Sequence, residues 1–128
     1  FLETVRAAGG FVIQVHPYRE RAYMQSRKIY LTPDLADAVE VRNCGNLIEF
    51  DRRAYEYAKR IGKPMTGGSD NHIAADPVKP LSGIELPFRC RTAEQLINAI
   101  KQNKQTVIDV ETAKEAPLTE PEYSVITL

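Results

Sequence analysis

Residues 66–72, with the sequence Thr-Gly-Gly-Ser-Asp-Asn-His, carry the side chains best suited to chemistry in this chain. Asp70 and His72 are two residues apart, so on an extended backbone both side chains point to the same side. A carboxylate beside an imidazole is a ligand pair suited to Zn²⁺, Mn²⁺ or Fe²⁺. Ser-Asp-Asn after two glycines is also typical of a turn, in which Asp and Asn bond their own backbone. Both interpretations, a metal ligand pair and a turn, stand at this point.

The only other histidine, His16, follows the apolar run 11–15. This run of β-branched and aromatic residues predicts a strand covered on both faces, and Pro17 ends it because proline cannot donate to a strand ladder. Both histidines of the chain therefore lie at predicted strand ends. His16 is read as a third metal ligand, with a strand-terminal histidine bonded to a backbone carbonyl as the alternative.

Three further polar residues are candidates for substrate binding or for supporting the ligands. Glu40 lies inside the apolar strand 38–43 and is costly to bury unpaired, so it needs Arg42, Arg19 or a metal site as a neighbour. Asn43 follows at the end of the same strand and is either a turn former or part of the site wall. Arg19 is either solvated or a bidentate donor to a phosphate.

Hydrophobic periodicity organises the chain into alternating strands and helices. The predicted strands are 11–16, 38–43, 64–69, 83–88 and 106–110, and the predicted helices are 2–8, 48–61 and 92–103, with Gly62 and Thr92 as caps. Residues 18–34 are read as a solvated loop or short helix, and 111–128 as an extension of uncertain structure. Strands alternating with helices predict parallel βαβ units, in which ligands bind at the carboxyl ends of the strands. Every candidate ligand falls at such an end.

Composition excludes several function classes. The 128 residues suffice for one domain, 43% are hydrophobic, and 17 basic residues cancel 17 acidic ones. A net charge of zero argues against general nucleic-acid binding, and no apolar run is long enough to span a membrane. Cys44 and Cys90 lack the spacing of a zinc finger or a disulfide framework, so we expect a cytoplasmic protein with reduced thiols, with a single disulfide as the alternative.

Three segments together resemble the later motifs of the polymerase-and-histidinol-phosphatase (PHP) superfamily: His16-Pro17-Tyr18-Arg19, Val39-Glu40-Val41-Arg42-Asn43 and Gly67-Gly68-Ser69-Asp70-Asn71-His72. The resemblance implies a distorted (β/α)7 barrel, with two or three divalent metal ions in a cleft at the strand ends. It implies that His16, Asp70 and His72 are metal ligands. Glu40 and Asn43 match a recurrent strand end and are carried over only as wall or supporting residues.

The chain departs from the PHP pattern in lacking the earlier ligands, which begin with a His-x-His pair on the first strand. We therefore expect residues 1–110 to be the C-terminal portion of a PHP-like domain within a longer protein. The implied function is a metal-dependent phosphoesterase that uses a metal-activated water on phosphate mono- or diesters of small molecules or nucleotides, with no catalytic residue assigned beyond the ligands. The isolated chain is expected to be weakly active or inactive, and to need its missing half or to self-associate.

Two other functions fit the same residues. One is a non-catalytic PHP-like module that binds a partner or regulates. The other is a barrel-type metal hydrolase that acts on C–N bonds. A site-free α/β fragment is the third outcome, and it predicts no bound metal in the intact protein.

Overall fold

The centre of the fold is the strand formed by residues Ala38–Asn43, all six of which are buried. The computed structural model describes residues 1–20, 28–73, 81–120 and 123–128. In chain order the helices and strands are α1 (Leu2–Ala7), β1 (Ile13–Gln14), β2 (Lys28–Leu31), β3 (Ala38–Asn43), α2 (Ile48–Ile61), β4 (Met65–Gly68), β5 (Ile84–Glu85), α3 (Ala93–Lys101), β6 (Thr106–Val107), α4 (Val110–Glu115) and β7 (Ser124–Thr127).

Strands β1, β3 and β4 form a parallel sheet with β3 in the middle. The register pairs Val39 with Met65 and Asn43 with Gly68, and it shifts between Glu40 and Arg42. Because the three strands run in the same direction, the residues that follow them meet at one edge of the sheet. This edge is where the sequence predicts the site.

Helix α2 joins β3 to β4 and has the predicted bounds. Its buried face includes Phe50, Ala54, Tyr57 and Ala58, which recur at helical spacing. Gly62 ends the helix in the left-handed conformation, with φ of 65°, where a side chain would be strained. The predicted βαβ unit is therefore confirmed for this part of the chain.

Helix α3 begins at the predicted cap, because the Thr92 hydroxyl accepts a hydrogen bond from the Gln95 N–H at 3.2 Å. The Gln95 side chain accepts from the N–H of Arg91, one residue before the cap, at 2.7 Å.

The remaining strands pair apart from the central sheet. Strand β2 pairs with β7 in parallel, and β5 pairs with β6 in antiparallel fashion. The described strands thus form three separate sheets, and no closed barrel is seen among them. The α/β class with parallel βαβ units is confirmed at this coarser level. No helix in the described ranges is long and apolar enough to cross a membrane.

The prediction of a loop or short helix over residues 18–34 is wrong for its last part. Lys28–Leu31 is a strand in which the buried residues Ile29 and Leu31 alternate with exposed ones. Charged residues nearby hide this alternation in the sequence. Residues 21–27 of the segment lie outside the described residues. The C-terminal Ser124–Thr127, left open by the sequence, docks on β2 as a strand.

The prediction that the first strand is covered on both faces is also wrong. Its ladder spans only Ile13–Gln14, and Ile13 and Val15 are 37% and 50% exposed. Among the described strands β1 has a neighbour on one side only, so it is an edge strand. His16 then leaves the strand with φ of 33°.

The predicted strands 83–88 and 106–110 are each reduced to two paired residues, and they run antiparallel rather than parallel. The second is cut short because Asp109 adopts a left-handed conformation with φ of 63° and begins helix α4. The Asp109 carboxylate accepts a hydrogen bond from the hydroxyl of Thr112, a local bond that competes with a strand.

Candidate functional site

The carboxyl-end edge of the central sheet joins four of the predicted site residues in one polar cluster, which we call the rim cluster: Arg19, Glu40, Asn43 and Asp70. Arg19 follows β1, Glu40 and Asn43 belong to β3, and Asp70 follows β4. Arg19 and Glu40 are more than twenty positions apart in the sequence, and so are Asn43 and Asp70. The parallel topology therefore brings together what the sequence placed on one edge.

Glu40 is buried at 8% exposure and is satisfied by neutral donors. Its Oε2 atom accepts the backbone N–H of His16 at 2.8 Å and the Asn43 Nδ2 at 3.0 Å. Of the partners that the sequence left open, neither Arg42 nor Arg19 is used. The Oε1 atom lies 2.6 Å from the position that a Cβ on Gly68 would take, so the glycine of β4 makes room for this carboxylate.

Asn43 connects the two halves of the rim cluster. While its Nδ2 donates to Glu40, its Oδ1 accepts the N–H of Gly45 at 2.8 Å and the Arg19 Nη2 at 2.6 Å. Asn43 is 3% exposed, so these bonds replace the water that the amide loses. The bond from Gly45 is that of a turn former, one of the two roles that the sequence leaves open for Asn43.

Arg19 and Asp70 form an ion pair with 2.8 Å between Nη2 and Oδ2, and both side chains are mostly buried. Asp70 has φ of 52°, which directs the chain sharply away from β4. Its Oδ2 atom lies 2.1 Å from where a Cβ on Gly45 would be, so the carboxylate occupies space that any other residue would fill. The carboxylate predicted to bind a cation thus binds the guanidinium of Arg19.

His72 lies beside Asp70 but at the surface. Its Nδ1 atom is 2.9 Å from the Asp70 carbonyl oxygen and 3.8 Å from Oδ1, and its side chain is 80% exposed. The backbone of His16 is held by Glu40, while its ring is half-buried. Within the described ranges no group of three or more His, Cys, Asp or Glu side chains could hold a metal ion.

A second polar group lies behind the rim cluster, and the sequence reading did not assign it. Asp51 of α2 is fully buried and accepts hydrogen bonds from Asn46, from the Asn43 N–H and from Arg42. Burial raises the pKa of the Asp51 carboxyl, and these three donors oppose that rise. The sequence does indicate that Asp51 lies on the apolar side of the helix, because it stands three residues before Ala54.

Arg42 ties this second group to α4. Its Nη2 lies 2.9 Å from the Asp109 carboxylate, and its Nη1 lies 2.8 Å from Asp51. Burial works to lower the pKa of the guanidinium, but the hydrogen bonds that Arg42 donates to Asp51 and Asp109 raise the pKa overall. The pKa of Asp109 is lowered, first by the Thr112 hydroxyl and then by Arg42. Arg42 therefore stays charged and serves the fold rather than a ligand.

A cleft of about 330 Å³ opens beside the rim cluster. It is lined by Arg19, Glu20, Cys44, Gly45, Asn46, Leu47 and Phe50. The cationic head of Arg19 at a cleft of this size can receive an anionic group of a small molecule.

Comparison with known proteins adds one finding. Residues 49–76, which include most of α2, all of β4 and the pair Asp70 and His72, match the model of the PHP-associated family. No curated protein and no solved structure matched the chain. The matched segment contains the last of the three motifs, residues 67–72, and it is consistent with the C-terminal region of a PHP-superfamily protein.

Proposed function

We propose that this chain is the C-terminal portion of a metal-dependent phosphoesterase, with β1, β3 and β4 forming part of a distorted (β/α)7 barrel. The observation that carries the proposal is the rim cluster, in which Arg19 donates hydrogen bonds to both Asn43 and Asp70, so that groups from three parallel strand ends meet. Parallel α/β proteins bind ligands at this edge. The PHP-associated match over residues 49–76 supports the same function.

The donor types at the rim suit a divalent metal, although their number is incomplete. Asp70 and His72 are adjacent and offer a carboxylate and an imidazole, which suit Zn²⁺, Mn²⁺ or Fe²⁺. A catalytic site needs at least three protein ligands, so we propose that His16 and residues outside this chain complete it. When bound, such a metal lowers the pKa of a water molecule and neutralises phosphate charge.

Arg19 is proposed as the residue that binds the phosphate group of the substrate. Three of its five N–H groups are used, by Asn46, Asn43 and Asp70, and the Nη1 pair has no partner among the described residues. A guanidinium held in this way offers the two N–H groups of Nη1 to an oxyanion. The substrate class is a phosphorylated small molecule or nucleotide that fits the adjacent cleft.

A non-catalytic PHP-like module is the second candidate function, and one observation favours it. The Asp70 carboxylate is neutralised by Arg19, as in an ion pair that serves the fold. In such a module the rim would bind an anionic ligand through Arg19 and would not need a metal.

The test is elemental analysis of the longest natural protein containing this chain, beside the double variant Asp70→Ala with His72→Ala. The control is Glu111→Ala with Lys114→Ala, which removes an exposed ion pair elsewhere. Loss of metal in the first variant alone supports the proposal, and equal metal in all three contradicts it.

Hydrolysis assays on the same proteins separate the functions. A phosphate monoester, a phosphate diester and a cyclic amide serve as substrates. Metal-dependent hydrolysis of either ester supports a phosphoesterase, cleavage of the amide points to a C–N hydrolase, and a wild-type protein without metal or hydrolysis points to the binding module.

A further inference from the structure

We propose that Asp51, a residue of helix α2 that makes no hydrogen bond to Arg19 itself, is a positioning residue for Arg19 and acts through Asn46 and Asn43. The proposal concerns how the guanidinium is oriented. Its phosphate-binding consequence rests on the function proposed above, whereas the orientation itself can be measured without any ligand.

The two oxygens of Asp51 hold the two asparagines separately. Oδ1 accepts Asn46 Nδ2 at 2.7 Å, and Oδ2 accepts the backbone N–H of Asn43 at 3.0 Å. Oδ2 also accepts Arg42 Nη1 at 2.8 Å. Asp51 is fully buried, so its carboxylate has lost its water and is fixed by these donors.

A carboxylate can only accept hydrogen bonds, and this fixes the direction of the Asn46 amide. Asn46 must turn its Nδ2 toward Asp51, which leaves its Oδ1 to accept Arg19 Nε at 2.5 Å. The same logic applies to Asn43, whose Nδ2 faces Glu40 and whose Oδ1 therefore faces Arg19 Nη2. Two buried carboxylates thus set the direction of two amides, and the amides set the plane of the guanidinium.

The orientation has a consequence for binding. With Nε and Nη2 held by Asn46, Asn43 and Asp70, the Nη1 edge is the part of Arg19 left to bind a ligand. A side chain already fixed in its binding geometry loses less entropy when the ligand arrives. Asp51 therefore raises the affinity of Arg19 for an oxyanion without contacting the oxyanion.

Asp51 also stabilises the fold through Arg42, and the two roles use different oxygens. In Asp51→Asn the amide oxygen can remain at the position that accepts from Asn43 and Arg42, and the amide nitrogen then faces Asn46. Two donors would meet, so Asn46 must reverse and turn its nitrogen toward Arg19 Nε. The substitution changes the polarity of the chain of hydrogen bonds while it keeps its shape.

The experiment records the ¹H–¹⁵N signal of Arg19 Nε by NMR in the full 128-residue chain, assigned with Arg19→Lys. We expect a distinct, slowly exchanging signal in the wild type and its loss or shift in Asp51→Asn. Binding of inorganic phosphate is titrated on the same samples, and we expect it to weaken about tenfold or more, as for one lost hydrogen bond to a charged group.

Rescue separates positioning from general destabilisation. In the double variant Asp51→Asn with Asn46→Asp, the amide nitrogen at position 51 donates to one carboxylate oxygen at position 46. The other carboxylate oxygen at position 46 accepts from Arg19 Nε. We expect the NMR signal and the phosphate affinity to return. Asp109→Asn is the control, because it removes the other partner of Arg42 and leaves Asp51 and the asparagines intact. We expect both readouts to stay at wild-type values there.

If Asp51→Asn does not fold, Asn46→Ala is the second variant. Asn46 is half-buried in a turn, so its replacement disturbs the packing less than a change at the fully buried Asp51. An unchanged Arg19 signal in a folded Asp51→Asn or Asn46→Ala protein overturns the proposal. A changed and rescued signal, together with phosphate binding that Arg19→Lys does not affect, supports the positioning role and contradicts the proposed function of Arg19.

Discussion

The guanidinium of Arg42 lies 2.8 Å from the carboxylate of Asp51, and the exposed fractions of the two side chains are only 10% and 1%. This pair joins the central strand to the first turn of α2. A further contact of Arg42 with Asp109, at 2.9 Å, extends the link to the start of α4. Three elements therefore depend on one buried cation.

Replacing Arg42 by leucine leaves the Asp51 charge buried without its partner. We expect Arg42→Leu to lower the free energy of unfolding by about 3–5 kcal/mol. Arg6→Gln removes a more exposed ion pair with Asp37 and should cost less than about 1 kcal/mol. Urea denaturation of both variants gives the comparison, and similar losses in the two would contradict the assignment of Arg42 as a structural centre.

The close approach of Gly68 in β4 to Glu40 leads to a second prediction. In Gly68→Ala the new Cβ would lie 2.6 Å from Glu40 Oε1, so the carboxylate must move and strain its bonds to His16 and Asn43. We expect a loss of about 1–3 kcal/mol in thermal or urea unfolding. Gly83→Ala, where a Cβ meets nothing within 4 Å, should be neutral or slightly stabilising. Equal effects at the two positions would show that β4 and Glu40 are not in this contact.

The sequence predicted those elements whose own residues determine them. Helix α2 has a full apolar face and ends at Gly62, and β3 is buried along its whole length around Val39 and Val41, so local pattern and tertiary packing agree there. Strand β2 was missed because only four residues form it and because its partner, β7, lies at the far end of the sequence. Its buried residues, Ile29 and Leu31, belong to the hydrophobic core with Val39 and Val41.

The candidate site shows the same division. Chain position was enough to place Arg19, Asn43 and Asp70 on one edge, since the ends of parallel strands coincide. The partner of Asp70 was not predictable from the sequence. Whether the carboxylate faces a metal ion or Arg19 depends on the left-handed conformation of Asp70 and on the space above Gly45. Asp51 lies on the apolar side of α2, but an acidic residue in the first turn of a helix is usually exposed, so its burial is not evident from the sequence.

Tyr57 and Tyr123 should respond oppositely to the loss of their hydroxyl groups. Tyr57 donates to Gln14 at 3.2 Å, so Tyr57→Phe should cost about 0.5–1.5 kcal/mol. The Tyr123 hydroxyl is buried and finds no partner in the described part of the chain, so Tyr123→Phe removes an unsatisfied group and should be neutral or stabilising. Matched urea unfolding curves provide the measurement, and a larger loss for Tyr123→Phe would contradict both assignments.

The same tyrosines make stability fall at alkaline pH. Burial raises the pKa of Tyr57 and of Tyr123 from 10.0 to about 12. Between these values the folded chain keeps two protons that the unfolded chain releases, so the free energy of unfolding decreases as the pH rises. The contribution is complete below pH 10 and is lost as the pH passes through about 12.

Each of the two groups contributes a slope of at most about 1.4 kcal/mol per pH unit in that range. The double variant Tyr57→Phe with Tyr123→Phe should therefore lose less stability than the wild type between about pH 10 and pH 11.5. Urea unfolding at several pH values measures the slopes, and absorbance at 295 nm, where ionised tyrosine absorbs, follows the release of protons. Parallel pH dependences in the two proteins would mean that neither hydroxyl is held protonated by burial.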